Sequence, residues 1–149
     1  MISVERTSTE GRIENMIDIF LKMIPPTVTH QEHKVTVRGG KPRFYDSAKL
    51  KSARTLFEDA LAMVKPVLPM EGPVDLFVEW KFPTKSHKDG AYRITRPDTD
   101  NLQKLLKDCM TRVGFWNDDA QVCRELVVKR WCRKDPGIHI MAGEIHDEE

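Results

Sequence analysis

The stretch that decides the fold is residues 74–82, which read VDLFVEWKF. Apolar residues occupy every second position, and this period of two predicts a β-strand with one buried face. Those positions are Val74, Leu76, Val78, Trp80 and Phe82. Pro83 ends the strand, because proline has no backbone N–H to donate to a neighbouring strand.

The stretches on either side of this strand have the apolar spacing of amphipathic helices. Ser47 is a suitable N-cap for a helix that runs to about Lys65, where Pro66 stops it. A second helix is predicted from about Asp100 to Val113, followed by Gly114, a residue that favours helix ends.

Further strands are predicted at residues 17–24, 33–37, 43–45, 122–132 and 138–145. Gly39 and Gly40 predict a tight hairpin between the second and third strands of the chain. The order of elements indicates an α/β (α+β) domain over residues 17–149, with a single mixed β-sheet and two main helices packed on it. Residues 1–16 are expected to be an N-terminal extension, either a short helix or a loose arm.

The formal net charge of +1 conceals an uneven distribution. Residues 34–134 hold 21 Lys and Arg against 13 Asp and Glu, a net charge of +8, whereas the two ends are acidic. Because a charged partner responds to the local field, the basic body is the relevant surface.

Composition excludes several classes of protein. Hydrophobic residues make up 40% of the chain, too many for a disordered protein. No apolar run reaches the roughly 20 residues of a membrane span, and the N-terminus lacks the apolar core of a signal peptide. The three cysteines show no CxxC spacing, which favours reduced thiols in the cytoplasm.

The residues that indicate chemistry are acidic and lie in two segments. Residues 96–104 read RPDTDNLQK, and Asp118 and Asp119 follow a GFWN run. Taken alone, Asp98 and Asp100 are ordinary helix-capping residues, and the later pair is typical of a solvated turn. Taken together, these carboxylates would hold one or two divalent ions, because Mg²⁺ prefers hard oxygen ligands.

The two segments must meet for such a site to form. A helix over residues 100–113 is about 20 Å long, and the six steps to Asp119 span at most about 20 Å. Asp119 therefore reaches the helix start if the chain runs straight back or the helix ends early. Otherwise the ligand comes from a partner subunit.

The runs RPDTDNLQKLLKD and GFWNDDAQV resemble the RusA family of bacterial and phage Holliday-junction resolvases. The family patterns D-x-D-N-x₃-K and W-x-D-D-x-Q, with an acid that continues the helix, are similar to residues here. The matching residues are Asp98, Asp100, Asn101, Lys104, Asp108, Trp116, Asp118, Asp119 and Gln121. Pro25-Pro26-Thr27 also resembles an early family motif, although Thr29 stands where the family often has Asn.

This resemblance implies a RusA-like fold and a homodimeric, Mg²⁺-dependent endonuclease in which Mn²⁺ can substitute. Such an enzyme nicks two opposing strands of four-way branched DNA and leaves 5′-phosphates, with no small-molecule cofactor and no membrane. By the same resemblance Asp98, Asp100 and Asp119 are metal ligands, with Asp118 as their neighbour, and Lys104 is a base or a phosphate contact. The implied location is the bacterial cytoplasm, for a protein encoded by the host or by a phage.

Basic residues near the acidic segments are predicted to contact DNA phosphates. They are Arg38, Lys41, Arg43, Lys85, Lys88, Arg93, Arg96 and Lys107. A third basic run is expected to be only a solvated face. Its members are Arg124, Lys129, Arg130, Arg133 and Lys134.

Two alternatives to the nuclease remain open. The chain could bind branched DNA without cutting it, or hold a divalent metal for structure alone. A zinc site of His30, His33, Cys123 and Cys132 fits no familiar zinc spacing. Phe115 and Trp116 could wedge into a junction, although packing in the core is the favoured role.

Overall fold

The computed structural model describes residues 12–27 and 33–146 of the chain. Its strands are β1 (Arg12–Lys22), β2 (His33–Arg38), β3 (Lys41–Asp46), β4 (Val74–Pro83), β5 (Val122–Cys132) and β6 (Gly137–His146). Its helices are α1 (Ala48–Ala62), α2 (Thr99–Val113) and a short 3-10 helix (Asp119–Gln121). Of the extension expected over residues 1–16, residues 1–11 lie outside the described part.

Four strands form one mixed sheet in the order β1-β6-β4-β5. β6 pairs antiparallel with both β1 and β4, whereas β4 and β5 are parallel. A parallel pair needs a long connection, and here α2 supplies it. The predicted mixed sheet with two helices is therefore confirmed, with β2 and β3 as a separate two-stranded hairpin.

The core lies between the helices and one face of the sheet. Val74, Leu76, Val78, Trp80 and Phe82 are all buried, as the alternation along β4 predicts. The helices contribute Leu50, Phe57, Leu61, Leu102, Leu105, Leu106, Cys109 and Met110. The rings of Phe57 and Trp80 meet edge to face with centroids 6.0 Å apart, a favoured aromatic geometry. Burial raises the pKa of the Cys109 thiol to about 12, so that it packs as a small apolar group.

Strand β1 begins at Arg12 rather than at the predicted Ile17, and it runs across the expected boundary between residues 16 and 17. Its first residues pair with the end of β6, for example Ile13 with Ile145, before the register shifts between Glu14 and Ile17. The early part of the strand is polar, so it lacks the apolar alternation by which a strand is recognised.

Helix α1 begins where the sequence predicts, since the Ser47 hydroxyl oxygen accepts a hydrogen bond from the backbone N–H of Leu50 at 3.1 Å. The helix ends at Ala62, earlier than the predicted Lys65. Pro66 contributes to this early end, because a proline that continued the helix would clash with the carbonyl group of Ala62, four residues before it. Within the described residues neither helix has the length and apolar character that crossing a membrane requires.

The connection between β4 and α2 runs along the outer edge of β5. The backbone N–H of Gly90 donates to Trp131 O at 2.8 Å, and that of Trp131 donates to Ala91 O at 2.8 Å. The N–H of Arg93 donates to Lys129 O at 3.0 Å. The segment therefore covers an edge strand that would otherwise present unpaired backbone groups.

Candidate functional site

The start of α2 is fixed by the first acid of the RPDTDN run. Asp98 is the N-cap, and its Oδ1 accepts a hydrogen bond from the N–H of Asn101 at 3.0 Å. Asp100 lies in the first turn, where the helix dipole favours a negative charge. Gly114 ends the helix with a φ of 98°, a left-handed conformation that glycine adopts without strain.

A cavity of about 350 Å³ lies between α2 and β5. Six polar side chains line it: Asp100, Gln103, Lys104, Lys107, Asp119 and Glu125. Asp100 and Lys104 are one helical turn apart, so they share a helix face. The cavity is therefore a charged pocket rather than an apolar one.

Asp119 joins this cavity from within the same chain. Its Oδ2 lies 3.7 Å from Lys104 Nζ. Helix α2 keeps its full length to Val113, so the chain after Gly114 runs back along the helix. The residue approaches the middle of α2 rather than its first residue, which explains how one short segment spans the distance.

Gln121 holds the returning segment in place. Its Oε1 accepts hydrogen bonds from the N–H groups of Asn117 and Asp118, at 2.8 and 3.0 Å. Its Nε2 donates to the carbonyl oxygens of Met70 and Gly72, at 2.9 and 3.1 Å. This one side chain thereby ties the 3-10 helix that carries Asp119 to the chain before β4.

Asp118 has a capping role in the structure. Its Oδ1 accepts a hydrogen bond from the N–H of Ala120 at 2.9 Å, and it forms a capping box with Gln121. Asp118 and Asp98 both cap helices and neither lines the cavity, whereas Asp100 and Asp119 do. The four acids of the two sequence segments thus divide into two caps and two cavity residues.

Lys104 is the cavity lysine that lies close to carboxylates of both α2 and the 3-10 helix. Its Nζ lies 3.1 Å from Asp108 Oδ1, an i,i+4 pair on α2. The carboxylates of Asp108, chiefly, and of Asp119 raise the pKa of the Lys104 ammonium above its usual value. The side chain therefore carries a positive charge into the cavity.

Glu125 is a cavity residue that sequence reasoning missed. It accepts hydrogen bonds from Lys107 Nζ at 3.4 Å and from Gln103 Nε2 at 3.3 Å. Gln103 is buried, and its Oε1 accepts a hydrogen bond from the Trp80 indole N–H at 2.7 Å. The available signal was the alternation of β5, because Glu125, Val127 and Lys129 all lie two residues apart and share the helix-facing side.

The side-chain oxygen atoms of this site are of the type that binds a divalent ion. Carboxylate oxygens of Asp100, Asp119 and Glu125 line one cavity, and hard oxygen donors are what Mg²⁺ prefers. Within residues 12–27 and 33–146, however, no three His, Cys, Asp or Glu side chains already stand at metal-binding separation. Lys104 lies among the carboxylates instead, and its charge partly offsets theirs.

The residues predicted to contact DNA fall into three groups. Lys85, Lys88 and Arg96 are exposed on the segment before α2. Lys107 is paired with Glu125 Oε2 at 3.1 Å, and the Arg93 guanidinium lies over the ring of Phe82 at 4.1 Å from its centroid. The third group lies on the hairpin, where the turn between β2 and β3 brings Arg38 opposite Lys41 and Thr36 opposite Arg43.

The third basic run is more than a solvated face, so that expectation is wrong. Arg124 pairs with Asp75 at 3.4 Å, and Arg130 pairs with Glu79 at 3.0 Å. Arg133 Nε donates to the carbonyl oxygen of His87 at 3.0 Å. Lys129 Nζ donates to two carbonyl oxygens just before α2. Position along β5 decides these roles, because successive side chains point to opposite faces of the sheet.

Phe115 and Trp116 belong to the core and do not form a wedge. They are 0% and 1% exposed, and the Trp116 indole N–H donates to Thr111 Oγ1 at 2.7 Å. Cys109, Cys123 and Cys132 are free thiols, as their odd number predicts. Thr29 and His30 lie outside the described residues.

Comparison with known proteins places this arrangement in a family. A family model of endodeoxyribonuclease RusA matches residues 23–142. The crossover junction endodeoxyribonucleases RusA of Escherichia coli (strain K12) and of Enterobacteria phage 82 are 43% identical to the chain over 53 residues. That stretch is 36% of this chain and 44% of each relative, so it spans less than half of their length.

A longer alignment joins the chain to the uncharacterized protein YqaN of Bacillus subtilis (strain 168). The two are 27% identical over 122 residues, which is 74% of this chain and 84% of that protein. The family model covers both acidic segments, all of β4 and β5 and most of β6, and it begins directly after β1. The chain therefore belongs to the endodeoxyribonuclease RusA family.

Proposed function

We propose that this chain is a metal-dependent endodeoxyribonuclease that resolves four-way (Holliday) junctions. The observation that carries the proposal is the cavity in which Asp100, Lys104 and Asp119 meet within one chain. Two separate segments supply these residues, and both lie within the range that the RusA family model matches. Relatives that bear the name crossover junction endodeoxyribonuclease support the choice of substrate.

The acidic residues have the role of holding Mg²⁺, with Mn²⁺ as a substitute. Asp100 and Asp119 contribute from the cavity, Asp98 from the adjoining N-cap, and Asp118 stands next to Asp119. A bound divalent ion supplies an activated water and stabilises negative charge at phosphorus. The Lys104 ammonium is placed to contact the scissile phosphate and to hold Asp119 in position.

DNA binding falls to the basic residues around the cavity. The exposed side chains of Lys85, Lys88 and Arg96 supply phosphate contacts beside the start of α2. Arg38, Lys41 and Arg43 of the hairpin, with Arg93 and Lys107, complete the predicted set.

Two nicks in opposing strands, each leaving a 5′-phosphate, require two cavities, so the active form is a homodimer. Junction DNA locates such an enzyme in the bacterial cytoplasm, whether a host or a phage encodes it.

The test is cleavage of a synthetic four-way junction with Mg²⁺, compared with a linear duplex of the same arms. We expect paired nicks in the junction and none in the duplex. Asp119→Asn should abolish cutting while junction binding persists, because the change removes a ligand and lessens repulsion of phosphate. Asp59→Asn, an exposed position on α1, is the matched control and should cut normally.

One observation favours a second candidate, a protein that binds branched DNA without cutting it. Lys104 stands between Asp108 and Asp119 and offsets their charge, as a structural cation would. The same assay separates the two candidates. A protein that binds the junction tightly but leaves it intact at every Mg²⁺ and Mn²⁺ concentration is the second candidate and not a nuclease.

A further inference from the structure

The segment that leads into α2 has three consecutive carbonyl groups held by two cationic side chains. Lys129 Nζ donates to Thr95 O at 2.8 Å and to Pro97 O at 2.7 Å. Arg93 Nη2 donates to the carbonyl oxygen between them, that of Arg96. We refer to Arg93 and Lys129, with these carbonyl oxygens, as the carbonyl clamp.

Both cations of the clamp are themselves fixed by the sheet. Lys129 lies on β5, opposite Trp80 of β4. The Arg93 guanidinium lies 4.1 Å from the centroid of the Phe82 ring and 4.6 Å from that of Trp131. Its Nε also donates to Thr95 Oγ1 at 3.1 Å. Cation–π contacts of this kind orient a guanidinium as well as attract it.

The location of the clamp gives it a consequence for the acidic residues. Thr95 and Arg96 are exposed and lie in no regular element, so the helix ladder does not hold them. The next residue after Pro97 is Asp98, the N-cap, and Asp100 follows in the first turn. Fixing the carbonyl groups of residues 95–97 therefore fixes the direction in which α2 begins and the places of both carboxylates.

The clamp brings two cationic side chains together close to the N-cap Asp98, and their surroundings shift the pKa of each. Burial, followed by repulsion from Arg93, lowers the pKa of the Lys129 ammonium, and Asp98 opposes this shift. Burial also lowers the pKa of Arg93. Neutral donors could hold the same carbonyl oxygens without bringing two positive charges together.

We propose that Lys129 is a positioning residue of the candidate site, one that sets the metal affinity of the Asp98–Asp100 pair through the carbonyl clamp. Its ammonium acts through the backbone, since it donates to the carbonyl oxygens of Thr95 and Pro97. The proposal rests on the proposed function, because it assumes that these carboxylates bind a divalent ion.

The experiment measures Mn²⁺ binding without DNA, by electron paramagnetic resonance, and then junction cutting at saturating Mn²⁺. We expect Lys129→Met to weaken Mn²⁺ binding by roughly tenfold, the loss typical when a group that orients metal ligands is removed. Lys129→Arg, which keeps a charged donor, should restore most of the affinity. Lys65→Met, an exposed lysine after α1, is the matched control and should bind Mn²⁺ like the wild type.

The alternatives give different results. If Lys129 acts only through its charge, Lys129→Met should tighten Mn²⁺ binding, because a cation near Asp98 is lost, and this would overturn the proposal. If the role of Lys129 is only in folding, the melting temperature falls while the Mn²⁺ affinity of the folded protein stays the same, which also contradicts the proposal.

Arg93→Lys is a second variant, since lysine lacks the planar fork that reaches both Arg96 O and Thr95 Oγ1. It should weaken Mn²⁺ binding in the same direction.

Failure of this proposal can be told apart from failure of the proposed function. A wild type that binds Mn²⁺ and leaves junctions uncut contradicts the nuclease but keeps the clamp, provided that Lys129→Met weakens binding. If the wild type cuts junctions and Lys129→Met binds Mn²⁺ with the same affinity as the wild type, only the proposal about the carbonyl clamp is overturned. A wild type without measurable Mn²⁺ binding contradicts both.

Discussion

At the scale of single residues, Lys104 is the side chain that links the acidic residues of α2 and of the 3-10 helix. Its ammonium lies within 4 Å of the carboxylates of both Asp108 and Asp119, and in the proposed reaction it would also contact phosphate. We expect Lys104→Ala to lower the rate of junction cutting by about 10²-fold, within the range of groups that stabilise or transfer charge in the reaction. Single-turnover kinetics with Mg²⁺ would measure this, and an unchanged rate would make Lys104 an ordinary surface residue.

A control variant separates the effect of the positive charge of Lys104 from the effect of its side-chain geometry. Lys104→Arg keeps the charge but changes the geometry of the donor, so it should recover part of the rate only. Junction affinity should change little in both variants, because several other exposed basic residues remain around the cavity. Loss of affinity without loss of rate would place Lys104 in DNA binding instead.

The sequence predicts which residues belong to the site better than it predicts which partners their side chains contact. The helix face shared by Asp100 and Lys104 follows from their spacing alone, and both do line the cavity. Glu125 was missed because the alternation of β5 groups it with Val127 and Lys129 without saying which face of the strand packs toward α2. The capping role of Asp118 depends on Gln121, whose side chain bonds to residues 70 and 72, distant in sequence.

At the scale of elements, the short 3-10 helix depends on Gln121 for its position. Gln121→Ala would leave two N–H groups and two carbonyl oxygens without this partner. We expect it to destabilise the fold by roughly 1–3 kcal/mol, the cost of partly buried polar groups left unsatisfied. Urea unfolding would measure the loss. Cutting should fall further than stability alone explains, because Asp119 loses its fixed place.

Gln121→Glu provides the matched comparison. It keeps the acceptor for the N–H groups of Asn117 and Asp118 but places a carboxylate against the carbonyl oxygens of Met70 and Gly72. It should therefore be at least as destabilising as the alanine variant. A variant of wild-type stability at either substitution would show that the 3-10 helix is held by other contacts.

Element boundaries were predictable where capping chemistry is local. Ser47 and Gly114 mark a helix start and a helix end in the sequence, and both have these roles in the structure. The start of β1 was not predictable, since Arg12–Glu14 are held by pairing with the far end of the chain. The separation of the hairpin from the main sheet likewise depends on packing that no local pattern records.

At the scale of the whole molecule, the two faces of the main sheet differ. The helices cover one face, and the other carries half-buried or exposed apolar side chains. Among these are Phe20, Phe77, Leu126 and Met141, with Leu126 60% exposed. Ion pairs within the chain, such as Arg130–Glu79 and Arg124–Asp75, already neutralise the charges around them. This open face is the surface that we expect the proposed homodimer to bury.

A substitution on the open face tests that expectation. Leu126→Asp should shift the protein from dimer to monomer, because two copies would bring like charges together in an apolar interface. Sedimentation velocity measures the change. Ile94→Asp is the control, since Ile94 is equally apolar and 93% exposed on the segment before α2. A wild type that sediments as a monomer at working concentration would contradict the homodimer.

The mixed sheet also sets the order in which the molecule can be completed. Its central strand β6 is the last described element of the chain, and it lies between β1 and β4. During synthesis β1 therefore cannot pair with β6 until almost the whole domain has been translated. Such distant pairing slows folding and leaves strand edges open meanwhile. The residues of the acidic cavity all precede β6, so they are translated before the sheet beneath them can close.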